Sequence, residues 1–186
     1  MHSATLDLEQ PDVEAPPPAV RSGEGVKVIR ACTINRSAAE LFAFWRNLEN
    51  LPRFMINLVS VTQTTPTRSH WVARGSRNKT IEWDAVIINE HPNEMIAWKT
   101  AEESEFRHAG SIRFQPAPGG RGTEVVVSLE YDPLHSDVKI LTRLFGKKPK
   151  DSVSQDLGRF KALMETGEIP STAGQPVGSG KQKEEQ

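Results

Sequence analysis

Histidine and cysteine, two residue types common in acid–base and nucleophilic catalysis, are few in this sequence of 186 residues, which contains five histidines and one cysteine. His70 and Glu82 fall in neighbouring predicted strands. They would face each other either as a general acid and base or as a solvated cross-strand pair, and we expect the solvated pair. His91 precedes a proline in a turn and His108 stands near the start of a strand. Both histidines are therefore predicted to lie on the surface.

Cys32 and two short motifs give weaker chemical signals. Cys32 has no basic neighbour in the sequence, which favours a buried structural thiol over a nucleophile. The glycines of "APGGRGTEV" precede a strand rather than a helix, which indicates a hairpin turn and not a phosphate loop. The basic cluster "GKKPK" at 146–150 is either a solvated turn or a contact for an anionic headgroup or a partner. No metal-ligand spacing such as H-x-x-x-H occurs, so we expect neither a metal site nor a cofactor.

The composition limits the partners and the location of the protein. Its net charge is -1 and its isoelectric point is about 6.5, so we expect no nucleic-acid partner. No run approaches the ~18 apolar residues of a membrane span, and no stable membrane insertion is expected. A single cysteine fits a reducing compartment, and the acidic, proline-rich N-terminus lacks the features of a signal peptide. These features predict a cytoplasmic protein, and they leave its oligomeric state open.

Two polar tails flank one predicted domain. Residues 1–24 and 168–186 contain too little apolar surface to offset the entropy of ordering, so we expect both tails to be disordered. The domain spans 25–167. Its first element, 26–34, alternates β-branched and polar residues and is predicted to be a strand.

The stretch "FWRNLENLPRFM", Phe44 to Met55, follows the start of a predicted helix. Ser37 and Glu40 have the spacing of a capping box. Apolar residues then recur at helical spacing, with Phe42 on the outer arc of the helix; this buried stripe comprises Leu41, Phe44, Trp45 and Leu48. Pro52 ends the helix, so the stretch is predicted to join two short helices and at most to border a ligand site.

The rest of the domain reads as strands followed by helices. From Leu58 to Tyr131 six runs with strand character are separated by turn residues. Two helical segments follow at 136–146 and 150–167, with glycine at the end of each. This order predicts an α+β domain in which a curved antiparallel sheet of about seven strands wraps a long C-terminal helix, with two short helices after the first strand.

Five stretches carry a resemblance to a known superfamily: "TINRSAAELFAFWRNLENLPRFM", "SHWVARG", "IEWDAVIINEHPNEMIAWKT", "GSIRFQPAPGGRGTEVVVSLEY" and "DLGRFKALMETGE". Together they span nearly all of 26–168. The chain resembles the START-like or SRPBCC (helix-grip) superfamily, and it is most similar to the polyketide cyclase/dehydrase and coenzyme Q-binding START-like branch. The resemblance implies a deep cavity between the concave face of the sheet and the C-terminal helix.

Alternation along the strands indicates which side chains would line that cavity. The inward-facing positions carry tryptophan, phenylalanine and aliphatic residues and almost no titratable group. An open cavity and a filled core would show the same pattern. The candidate cavity residues, including those of the helices, are Trp45, Phe54, Met55, Trp71, Trp83, Ile96, Trp98, Phe114, Val127, Leu129, Tyr131, Leu157 and Phe160.

The sequence is compatible with three functions. An apolar interior favours non-catalytic binding of a hydrophobic small molecule such as a lipid, a quinone or a polyketide, with indole N–H groups as polar contacts. The resemblance also allows a cyclase/dehydrase enzyme; His70, Glu82 or Tyr131 inside the cavity would support it, and their location outside would argue against it. The third alternative is a stress or interaction protein that acts through its surface and its tails.

Overall fold

The computed structural model describes residues 26–75, 79–104, 107–131 and 148–169. Seven strands, two α-helices and two 3₁₀ helices occur in these ranges. The strands are β1 (Val26–Ile34), β2 (Leu58–Gln63), β3 (Arg68–Arg74), β4 (Thr80–His91), β5 (Met95–Thr100), β6 (His108–Pro116) and β7 (Thr123–Tyr131). The helices are α1 (Ala38–Arg46), α2 (Pro149–Thr166) and the 3₁₀ helices Leu48–Arg53 and Pro118–Gly120.

The seven strands form one antiparallel sheet in the order β1-β7-β6-β5-β4-β3-β2. The first strand thus pairs with the last, and β2 forms the opposite edge. Register shifts interrupt the ladder between Leu58 and Ser60 in β2 and between Ile87 and Asn89 in β4. Such bulges bend a strand and increase its twist, which helps a sheet to curve around a helix. The predicted α+β helix-grip architecture is confirmed.

Helix α1, which follows β1, begins with the predicted capping box. The Ser37 hydroxyl accepts a hydrogen bond from the Glu40 amide, and the Glu40 carboxylate accepts one from the Ser37 amide. The helix ends at Arg46, and Leu48–Arg53, which contains Pro52, continues as a 3₁₀ helix. One position differs from the prediction, because Phe42 is buried against Phe114, with ring centroids 6.0 Å apart.

Helix α2 lies across the sheet and supplies the other half of the core. Its buried side chains recur at helical spacing and are Val153, Leu157, Phe160 and Leu163. Polar contacts fix its C-terminal half to the end of β1. The Asn35 amide donates to Oε1 of Glu165 at 2.7 Å, Arg36 donates to the Glu165 carbonyl at 2.9 Å, and the Lys161 ammonium donates to the Thr33 carbonyl.

Some predicted features fall outside the described residues. These are the helix at 136–146, the first two residues of "GKKPK", the tail 1–24 and all but residues 168–169 of the C-terminal tail. In the part of the chain that the structure describes, no helix is long and apolar enough to cross a membrane.

Candidate ligand cavity

A cavity of about 110 Å³ lies between the concave face of the sheet, the 3₁₀ segment after α1 and helix α2. All four tryptophans of the chain line it, Trp45 from α1 and the other three from β3, β4 and β5. Trp71 and Trp83 pair across β3 and β4 and stack with centroids 5.8 Å apart. The cavity wall is therefore mostly aromatic and aliphatic.

Two small residues next to the tryptophans allow their rings to pack in this wall. The Trp71 indole donates a 2.8 Å hydrogen bond to the hydroxyl of Ser69, which is itself buried. Gly110 lies beneath Trp98, and a β-carbon at this position would come within 2.5 Å of the Trp98 ring. Glycine in a strand often marks such a close approach. The position of the Trp98 ring thus requires a residue without a side chain on the neighbouring strand.

Most of the residues predicted from strand alternation and helical spacing do line the cavity. They are Trp45, Phe54, Met55, Trp71, Trp83, Ile96, Trp98, Val127, Leu129 and Leu157. Their presence on the wall follows from geometry, and a role in ligand binding stays a prediction.

Three predicted residues, Phe114, Tyr131 and Phe160, are not among the described residues that line the cavity. Phe114 packs edge-on against Phe42 of α1. Phe160 is fully buried in an aromatic cluster, with centroid distances of 4.9 Å to Phe54 and 5.2 Å to Trp45. Tyr131 is the last residue of β7 and lies opposite Val26 and His108 in the sheet register. Strand parity indicates the inward side correctly, but it does not show which inward residues border empty space.

The structure also corrects the prediction that His108 lies on the surface. Its exposed fraction is 7% and it lines the cavity, with its ring edge-on to Trp83 at 5.9 Å. Burial lowers the pKa of His108 to about 4, because a protonated imidazole would lose its hydration. The signal was present in the sequence. His108 shares the parity of Ile112 and Phe114 on β6, both of which face inward.

Asp156 is a second titratable residue on the cavity wall that sequence reasoning missed. It lies three residues after Val153 and four before Phe160, and its side chain is half-buried. Its Oδ1 accepts a 3.2 Å hydrogen bond from the backbone amide of Ile56. Burial raises the pKa of Asp156 to about 6, although the Ile56 amide and the charge of Arg159 oppose this shift. The interior is thus less purely apolar than predicted.

His70 and Glu82 lie on the other face of the sheet, away from the cavity. His70 Nε2 is 3.4 Å from Glu82 Oε2, and the closer partner of the ring is Asp84, whose Oδ1 lies 2.8 Å from Nδ1. The His70 side chain is 39% exposed. The predicted pair therefore exists as a solvated cross-strand contact. His91 is exposed, as expected.

The remaining residues considered for chemistry have ordinary settings. Cys32 is half-buried, and burial raises the pKa of its thiol to about 11, so the nucleophilic thiolate is disfavoured near neutral pH. The glycines Gly119, Gly120 and Gly122 have positive φ angles in the hairpin between β6 and β7. Within the described ranges, no group of three histidine, cysteine, aspartate or glutamate side chains is arranged to hold a metal ion.

Comparison with known proteins identifies the family. A family model described as polyketide cyclase/dehydrase and lipid transport matches residues 34–157. The chain belongs to this family. A curated relative, an uncharacterised 17.2 kDa protein of Streptomyces lincolnensis, is 30% identical over 122 residues, which cover 65% of this chain and 77% of that protein.

Solved structures support the same conclusion. A Deinococcus radiodurans protein matches with a TM-score of 0.63 and 34% identity, over 77% of this chain and all of the other. A START superfamily protein from Mycobacterium smegmatis matches with a TM-score of 0.57 and 14% identity, over 74% of this chain and 98% of the other, which shows the fold. Membership of the START-like superfamily, predicted from five stretches of sequence, is confirmed. The family and fold support hydrophobic ligand binding or a cyclase-type function.

Proposed function

We propose that this protein binds an apolar small molecule in the cavity between the sheet and α2 and releases it chemically unchanged. The observation that carries the proposal is the lining. Four tryptophans and a set of aliphatic side chains surround the space, and few polar groups interrupt them. Ligand sites in proteins commonly combine an apolar wall with a few convergent polar groups.

The size of the cavity narrows the ligand. Pockets for drug-sized molecules typically measure roughly 300–1,000 Å³, whereas this cavity measures about 110 Å³. It suits one ring or a short aliphatic segment. A lipid, a quinone or a polyketide would place one ring or chain end inside and extend past partly exposed lining residues such as Met55.

The four tryptophans make the test direct, since each of them borders the proposed ligand. We expect toluene and naphthalene to change the intrinsic tryptophan fluorescence saturably, with one molecule bound per chain by titration calorimetry. Native mass spectrometry of the purified protein would show any ligand retained from the cell. Absence of saturable binding for every apolar probe would contradict the proposal.

A cavity-filling substitution separates binding in the cavity from binding at the surface. Ala85 lines the cavity and is 2% exposed, so Ala85→Leu should occupy the space and weaken binding by at least ~tenfold. The extra volume should also cost about 1–3 kcal/mol of stability, which circular dichroism and thermal unfolding would monitor. Ala43 is exposed on α1, and Ala43→Leu is the matched control. Equal affinity in a folded Ala85→Leu variant would exclude the cavity as the site.

A cyclase-type activity is the second candidate, and one observation favours it. His108 and Asp156 line the same cavity, and their pKa values are shifted in the directions that leave a neutral imidazole and a carboxyl group able to exchange a proton near pH 6. Aldol cyclisation of a small poly-β-ketone, followed by mass spectrometry and absorbance, tests this activity. A rate equal to the uncatalysed rate in the wild-type protein would exclude it for that substrate.

The predictions of a cytoplasmic location and of a specific lipid or coenzyme Q ligand stay predictions. The surface-acting alternative depends on the tails, which lie almost wholly outside the described residues.

A further inference from the structure

We propose that the ligand carries a hydrogen-bond donor, either a hydroxyl or an ammonium group, and that the carboxylate of Asp156 accepts this hydrogen bond inside the cavity. The inference rests on the proposed function and adds the chemical class of the ligand. It makes Asp156 the residue that determines specificity.

The placement of Asp156 is the first argument. It is half-buried on α2 between the buried residues Val153 and Leu157, and all three residues line the cavity. An ionised carboxylate offers about four acceptor positions on its two oxygens. Among the described residues, the amide of Ile56 is the single hydrogen-bond donor to this carboxylate. The described residues therefore leave most of its acceptor positions open to a bound molecule.

The cost of leaving those positions unfilled is the second argument. A polar group that is partly removed from water and has few hydrogen bonds loses part of its solvation. The raised pKa of Asp156 reflects this loss. A donor on the ligand would replace part of the lost solvation, whereas an apolar ligand without a donor would seal the carboxylate from water and increase the cost.

The charges around the cavity are the third argument. Among the lining residues in the described ranges there is no lysine or arginine, and His108 is neutral at pH 7 because its pKa is about 4. Arg159 lies near Asp156 on α2, but it is not part of the lining and its Nε donates to the Phe54 carbonyl at 2.9 Å. A carboxylate ligand would meet a like charge. An ammonium would meet both Asp156 and the faces of tryptophan rings, which attract cations.

Four ligands of similar size and different polarity test the inference at pH 7.5: toluene, benzyl alcohol, benzylammonium and benzoate. We expect benzyl alcohol or benzylammonium to bind at least ~tenfold more tightly than toluene, and benzoate to bind most weakly. The tighter of the two donors identifies hydroxyl or ammonium as the preferred group. Tryptophan fluorescence and titration calorimetry give the dissociation constants.

Substitution of the carboxylate assigns the preference to Asp156. In Asp156→Asn the advantage of the donor ligands should shrink to within about threefold of toluene, and benzoate should bind more tightly than to the wild type. Asp151 is exposed in the first turn of the same helix. The matched control Asp151→Asn should keep the full wild-type ranking.

The outcomes separate this inference from the proposed function. If toluene binds as tightly as both donors, or if benzoate binds best, the inference is wrong and the cavity proposal stands. If none of the four ligands binds, the inference is wrong, and if naphthalene does not bind either, the cavity proposal is wrong as well. The wild-type ranking decides the ligand class even if Asp156→Asn does not fold.

Discussion

The cavity and the outer face of the sheet each contain a histidine and an aspartate, and the two environments shift their pKa values in opposite directions. In the cavity, burial lowers the pKa of His108 to about 4 and raises that of Asp156 to about 6. On the outer face, hydrogen bonding to Asp84 raises the pKa of His70, and the His70 and Arg68 side chains lower the pKa of Asp84. The cavity favours neutral forms, and the outer face favours charged ones.

The difference shows that the setting decides the role of these residue types. Desolvation disfavours charge, whereas a hydrogen-bonded partner of opposite charge favours it. On the outer face His70 and Asp84 satisfy each other at 2.8 Å in contact with solvent. Asp156 in the cavity contacts a backbone amide and lines a space that a ligand can enter. Asp156 is therefore placed where a ligand can contact it.

The largest expected effect concerns His108 and the response of stability to acid. The folded-state pKa of His108 lies below the ordinary value of 6.5. Its contribution to the free energy of unfolding is therefore fully present above pH 6.5 and is lost as the pH falls through about 4. The loss amounts to about 3 kcal/mol. In His108→Gln this acid-dependent loss should disappear, as urea unfolding at pH 7.5, 5.5 and 4 would show. An unchanged pH dependence would contradict the neutral, buried state of His108.

A somewhat smaller effect of opposite sign is expected for Asp156. The folded-state pKa of Asp156 is raised above the ordinary value of 3.8. Its contribution to the free energy of unfolding is therefore present below pH 3.8 and is lost as the pH rises through about 6. Asp156→Asn should therefore stabilise the protein by about 2 kcal/mol at pH 7.5 and by little at pH 3.5. Urea unfolding measures both values. Destabilisation at pH 7.5 would indicate that the ionised carboxylate has a strong partner in the folded protein.

The smallest effect is expected on the outer face. The pKa of His70 is raised by its neighbours, so its contribution is present at low pH and is lost as the pH rises through its folded-state pKa. Because the pair is solvated, His70→Gln should cost only about 0.2–1 kcal/mol at pH 5.5, less at pH 9, and less in high salt. Ligand affinity should not change. A change in affinity would show that the two faces are coupled.

The fold and ten of the 22 described residues that line the cavity could be predicted from local patterns. The Ser37–Glu40 capping box begins α1, strand alternation indicates the inward side of β3 to β7, and the stripe of α2 gives its buried face. These features depend on residues close in sequence, and so they are visible without a structure. The same parity applied to β6 would have placed His108 inside, since it lies on the same side of the strand as Ile112 and Phe114.

The division between cavity and packed core could not be predicted in this way. Phe114 and Phe160 face inward as expected, yet they pack against Phe42 and against the aromatic cluster around Phe54. Whether an inward side chain borders empty space depends on how residues from α1, the sheet and α2 meet. That depends on the volumes and rotamers of side chains far apart in sequence.

The sequence by itself determined the element order, the side of each strand that faces inward, and the membership of the START-like superfamily. Only the tertiary structure decided which titratable side chains are buried and which of their protonation states are favoured. Asp156 obtains its hydrogen bond from Ile56, 100 positions earlier in the chain, and its raised pKa comes from burial within the assembled domain. Desolvation is set by every element that surrounds a group, so it appears only when the sheet and the helix come together.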